Sequence, residues 1–203
     1  MSISEIVAVV KDVVLGLCAV GTFVLAVYGV KNWARELKGK ADFEVARQFI
    51  RAVYKFRDEI DNSRSPMTLA NEYPLDYDPM NKSPEYKAQA LSYVFSNRWK
   101  PVVNAVQELE AQALEAEALW GGEVKKLVHD LMKNAQLLRV GMQAIVDSEI
   151  SENQNFKSNS DLAMRMRGRV WKQMHCDKDE ITDSIISTVE KLENYLRPYL
   201  KRN

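Results

Sequence analysis

A chain of 203 residues with 28 basic and 28 acidic side chains has no net charge to draw it toward nucleic acid. Setting apart an N-terminal apolar stretch leaves one domain of ordinary size, long enough for a core. Two cysteines, one inside that stretch, exclude an intramolecular disulfide framework, and scarce Gly and Pro between Ala-, Leu-, Glu- and Lys-rich segments favour helix.

Val13 to Val30 reads VVLGLCAVGTFVLAVYGV, without a charge. As helix it rises about 27 Å, close to the roughly 30 Å of bilayer hydrocarbon. It is too long for a signal-peptide core, and Tyr28-Gly29-Val30-Lys31-Asn32-Trp33 offers no small-x-small cleavage site. A soluble core helix would carry a polar stripe, and this stretch has only Thr22. A membrane span is therefore expected over residues 6–30, with Lys11 snorkelling at its edge and residues 1–5 as a short extracytoplasmic N-terminus.

Basic residues follow the span: Lys31, Arg35, Lys38 and Lys40, against Glu36 alone. The positive-inside rule puts the C-terminal part in the cytoplasm, with Lys31, Trp33, Arg35, Lys38 and Lys40 at the membrane interface. Within the span, Cys18, Thr22, Ala26 and Gly29 put small residues on one helix face, where two spans can approach closely.

Residues 31–60 continue as a juxtamembrane basic helix. Phe43, Ala46, Phe49/Ile50, Val53, Phe56 and Ile60 make its apolar stripe, and Gly39 is a candidate hinge. The basic residues near the membrane suit anionic headgroups, whereas those past Lys40 read as an ordinary solvated face. Lys31-Asn32-Trp33-Ala34-Arg35-Glu36-Leu37-Lys38-Gly39-Lys40 and the following Phe43 to Arg57 resemble the juxtamembrane region of small membrane-anchored bacterial proteins. The resemblance implies a bacterial inner-membrane setting and brings no catalytic residue with it.

Residues 61–83 form a Pro-rich loop, entered through Asp61-Asn62-Ser63-Arg64-Ser65-Pro66. Tyr73, Leu75, Tyr77 and Met80 are expected to pack it on the domain. Glu72, Asp76 and Asp78 lack the glycine and final glutamate of a calcium loop, so they read as turn residues. From residue 84 to 203 a helical bundle is expected, completed by 41–60. Ser83-Pro84-Glu85 starts a helix to about Trp120, kinked or split by Pro101. Gly121-Gly122 turns it into an antiparallel partner, Glu123 to about Ser148, with the stripe Val124, Leu127, Val128, Leu131, Ala135, Leu138, Met142 and Ile145. Gly141 marks a close crossing. Residues 149–160 read as a polar loop, and Ser160 or Asp161 caps the segment 161–175. Its alternation is strand-like, but no partner strand is evident, so it is assigned as helix. Asp177 or Asp179 starts the last helix, with Ile181, Ile185, Val189, Leu192 and Leu196 inward and Pro198 near its end.

Chemistry has few candidates. His129-Asp130 with His175-Cys176 lacks the spaced pairs of a zinc site, and His175 beside Cys176 is poor geometry for activating a thiol. No phosphate-binding glycine loop is present. Arg165, Arg167, Arg169 and Lys172 around Trp171 form a basic interaction surface. An acidic helix such as Glu108–Glu117, of this or another copy, suits it better than nucleic acid.

The expectation is an all-α protein: a single N-terminal transmembrane helix followed by a cytoplasmic helical bundle of four to five helices. It would be a non-enzymatic membrane-anchored interaction module, an adaptor, sensor or effector subunit. Its partners are the lipid bilayer and a second copy or another protein, with no cofactor, metal or catalytic residue. The alternative is a membrane-perturbing effector that oligomerises through its span, and third comes an enzyme of unknown type.

Overall fold

The computed structural model describes residues 3–172 and 179–201. Among these there is no strand. The helices are α1 (Ile3–Ser63), α2 (Pro84–Trp120), α3 (Glu123–Ile150), α4 (Gln154–Ser158), α5 (Ser160–Val170) and α6 (Glu180–Leu200), with a 3-10 turn at Ala70–Glu72. The chain divides into two units, Met1–Glu44 and Val45–Asn203.

The described part of the first unit is one helix. Its apolar side chains from Val14 to Val30 are exposed, and helical geometry runs through Gly39 without a break. It is the one helix among the described residues long and apolar enough to cross a membrane.

The second unit is built on the stripes expected from periodicity. Ala46, Phe49, Val53, Phe56 and Ile60 of α1 are buried with Val102, Leu109, Ala113 and Ala116 of α2. They share one core with Val124, Leu131, Leu138, Met142 and Ile145 of α3 and with Ile181, Ile185, Val189, Leu192 and Leu196 of α6. Gly121 ends α2 at φ +87°, a conformation open to glycine because it has no Cβ, and its N–H donates to Glu117 O at 2.8 Å. The two-residue turn makes α2 and α3 a helical hairpin, the largest packed pair of the unit. Pro101 leaves α2 continuous. It lies on the exposed side, where water can serve the carbonyl deprived of an N–H.

Several boundaries differ from the sequence reading. Asp61–Ser63 still belong to α1, because the first proline comes only at Pro66. The 149–160 stretch is no simple loop: α3 runs to Ile150 and α4 follows. Asn153, in the left-handed region at φ 62°, turns the chain there. Its N–H donates to Ser148 O, and its Oδ1 accepts from the Ser148 hydroxyl. The cap of α5 is Asn159 rather than Ser160 or Asp161, since Asn159 Oδ1 accepts from Leu162 N at 3.0 Å. Helix α5 ends at Val170, and His175, Cys176 and Asp177 lie outside the described residues. Asp179 caps α6, its carboxylate accepting from Thr182 N at 3.0 Å. Leu75 and Met80 do not pack on the domain but are fully exposed.

Gly141 sits at a close crossing of α3 and α5. A Cβ there would lie 3.0 Å from Val170 Cγ2 and 3.2 Å from Arg169 Cβ. Gly141→Leu is expected to destabilise the bundle by about 1–3 kcal/mol through overpacking, despite better helix propensity. An unchanged melting temperature would show that the crossing yields freely.

Candidate functional site

Cys18, Thr22, Ala26 and Gly29 occur on the exposed part of α1. The Thr22 hydroxyl donates to Cys18 O at 2.8 Å, so it is satisfied within its own helix. Lys31, Trp33, Arg35, Lys38 and Lys40 are all exposed. Lys40 pairs with Glu36 at 2.7 Å, one turn back.

The basic cluster at α5 is divided by its helical geometry. Residues two apart on a helix point about 200° from one another. Arg165 and Arg169 lie on one side, along a cleft shared with Asp161, Met164, Gly168 and Glu180. Arg167 lies on another, its guanidinium 6.0 Å from the Phe156 ring. Arg165 and Arg167 are exposed, whereas Arg169 is largely covered and its Nε approaches Glu180 at 3.8 Å. Lys172 Nζ reaches back to Asp61 at 2.6 Å. The acidic counterpart on α2 is also partly engaged: Glu108 with Lys55 at 2.6 Å and Glu117 with Lys125 at 3.3 Å.

The densest polar arrangement is centred on Arg64, just past the end of α1. Its side chain is 1 % exposed. Nη2 donates to both oxygens of Asp179 (2.9 and 2.8 Å) and to Gly168 O (2.7 Å). Nη1 donates to Thr182 Oγ1, and Nε to Arg169 O, both at 2.9 Å. Its own carbonyl accepts from Lys172 N at 2.8 Å. One guanidinium thus serves two carbonyls in the last turn of α5, where helices leave acceptors unpaired and favour a cation, and also grips the residue that caps α6. Burial pushes the Asp179 carboxyl up, but Arg64 and Thr182 together outweigh it, and the net shift is below the usual carboxylate range. A cleft of about 230 Å³ opens beside this node, lined by Arg57, Asp58, Asp61, Arg64, Lys172 and Ile185 among others. The sequence reading missed this node. Its one local signal is an acid at a helix start, Asp179, and nothing in Asn62-Ser63-Arg64-Ser65 announces the partner.

A second arginine orders the Pro-rich loop. Arg98 on α2 grips the Glu72 carboxylate through Nε and Nη2, and donates to the carbonyls of Ser65 and Met67 at 2.7 Å each. Hydrogen bonding from Arg98 holds the Glu72 carboxyl below its ordinary range. Tyr73, Tyr77 and Tyr86 stack with centroids 4.3 and 5.7 Å apart. The Tyr86 hydroxyl accepts from Asp78 N and donates to Asp76 O. Glu72 and Asp78 therefore do turn and clamp work, Asp78 Oδ1 also accepting from Met80 N.

Among the described residues no group of three or more His, Cys, Asp or Glu side chains is placed to hold a metal ion. His129 and Asp130 are exposed on α3. Compared with known proteins, the chain matches no family model, no curated protein and no solved structure.

Proposed function

We propose that this chain is a single-pass inner-membrane protein, N-terminus outside, whose cytoplasmic helical unit works as an interaction module. The observation that carries this reading is the apolar part of α1. Val14, Leu15, Leu17, Val20, Phe23, Val24, Leu25 and Val30 all stand exposed on one helix, and none of the apolar window is buried. Burial stabilises apolar surface by about 25 cal/mol per Å², so a bilayer is the natural cover for a stretch of bilayer length. The basic residues Lys31, Arg35 and Lys38 on the C-terminal side favour a cytoplasmic bundle. The membrane-perturbing alternative needs a polar face along the span, and the Thr22 hydroxyl is turned onto Cys18 O.

Two measurements test the reading. The full chain should stay in the membrane pellet in alkaline carbonate and be released by detergent, and a reporter fused after Asn203 should behave as cytoplasmic. Release by carbonate would remove the span, and periplasmic reporter activity would reverse the orientation.

A further inference from the structure

We propose that a second copy of this chain docks its α5 on the exposed face of α2. Two helical segments carry one pattern with opposite charge: Leu114-Glu115-Ala116-Glu117-Ala118 on α2 and Met164-Arg165-Met166-Arg167-Gly168 on α5. In each, the middle residue is rooted in the common core, Ala116 at 0 % and Met166 at 9 % exposure. In each, the first residue is a large apolar side chain left in the open, Leu114 at 69 % and Met164 at 67 %.

Helical rotation of 100° per residue puts the following charge on one side of that apolar residue and the charge three positions on at its other side. Leu114 is thus flanked by Glu115 and Glu117, and Met164 by Arg165 and Arg167. The small residues Ala111 and Ala118 beside Leu114, and Gly168 beside Met164, let two helices approach closely. Glu110 adds a further exposed acid.

Both faces point away from the core that roots them, so within one molecule neither covers the other. Glu110, Glu115 and Arg165 form no ion pair among the described residues. Two α2 faces laid together would set glutamate against glutamate, whereas α2 against α5 sets each apolar centre in a ring of opposite charge. Arg169, largely covered, and Lys172, bound to Asp61, take no part, whereas Glu117, paired with Lys125 at 3.3 Å, keeps 31 % of its side chain open to a partner. Used reciprocally, the contact closes a two-fold dimer, and used once per molecule it runs on as a chain of copies.

The inference deepens the interaction-module reading and rests on it, since anchoring in one membrane raises the effective concentration at which weak contacts form. The test uses the full chain in native membranes, with Cys18→Ser and Cys176→Ser removing the natural thiols. One tagged copy carries Leu114→Cys and a differently tagged copy Met164→Cys. On oxidation the mixed disulfide should exceed either disulfide between identical copies. Glu115→Arg with Glu117→Arg on the first copy should lower its yield about tenfold, as should Arg165→Glu with Arg167→Glu on the second. The two reversals together should restore it, which also shows that both reversed chains fold. A mixed yield no greater than the identical-copy yields, or no recovery on double reversal, overturns the contact. A chain that still associates after that result keeps the interaction-module reading and loses only this surface.

Discussion

Asp179→Ala will destabilise the bundle by about 3–5 kcal/mol, because it strands a buried guanidinium. Arg64, 1 % exposed, is enclosed by the Asp179 carboxylate, the Thr182 hydroxyl and the carbonyls of Gly168 and Arg169, and Asp179 is the acid that balances its charge. The same substitution removes the cap of α6, a loss of about 1 kcal/mol in its own right. Arg64→Met with Asp179→Leu should lose less than the two single changes summed, since paired apolar groups leave no unmatched charge. The pH dependence has a defined sign. The Asp179 carboxyl titrates lower in the folded chain than in the unfolded one, so its contribution is full above the ordinary carboxylate range and fades as pH falls through the folded value. Glu72 behaves likewise through Arg98. Asp179→Ala should therefore narrow its deficit against the parent as pH drops below about 4. Urea unfolding of the detergent-solubilised chain, followed by helical circular dichroism, measures both effects. A neutral-pH loss under about 0.5 kcal/mol would mean that the pair is solvated.

Phe49→Ala and Phe23→Ala should differ by the whole value of a buried ring, although both residues lie on the one helix α1. Phe49 is fully buried in the core of the second unit, so its truncation leaves a cavity and should lower bundle stability by about 3–5 kcal/mol. That is a large part of the roughly 5–15 kcal/mol that holds a domain together. Phe23 is 69 % exposed and belongs to the first unit, so Phe23→Ala should leave bundle unfolding unchanged. The same urea titration compares them. Equal losses would show that the apolar stretch contributes to the bundle core.

The helices were legible because their signals are local. Apolar steps of three and four residues announced the buried faces of α1, α2, α3 and α6, and the Ser83-Pro84 start and the Gly121-Gly122 stop bounded α2. The long uncharged run was legible for the same reason. Residues 161–170 were harder: Arg165, Arg167 and Arg169 alternate with apolar residues, so as a strand they would share one face, while as the helix α5 they are parted. The helix sets Arg165 and Arg167 on either side of Met164, while Arg169, one turn past Arg165, is withdrawn from the basic surface because packing covers it beside Glu180.

Helical class, the candidate span and the order of the long helices were thus determined by the sequence alone, since each follows from residues a few positions apart; the short α4 was not. Tertiary structure decided which charges are structural and which stay free. Arg64 and Asp179 stand 115 positions apart, Lys172 and Asp61 111, and Arg98 and Glu72 26. No periodicity links such residues; only the packing of α1, α2, α5 and α6 brings them within hydrogen-bonding distance. The Arg64 and Arg98 pairs draw their energy from that enclosure, because a guanidinium and a carboxylate withdrawn from water interact far more strongly than a pair on a solvated surface, such as Lys172 with Asp61.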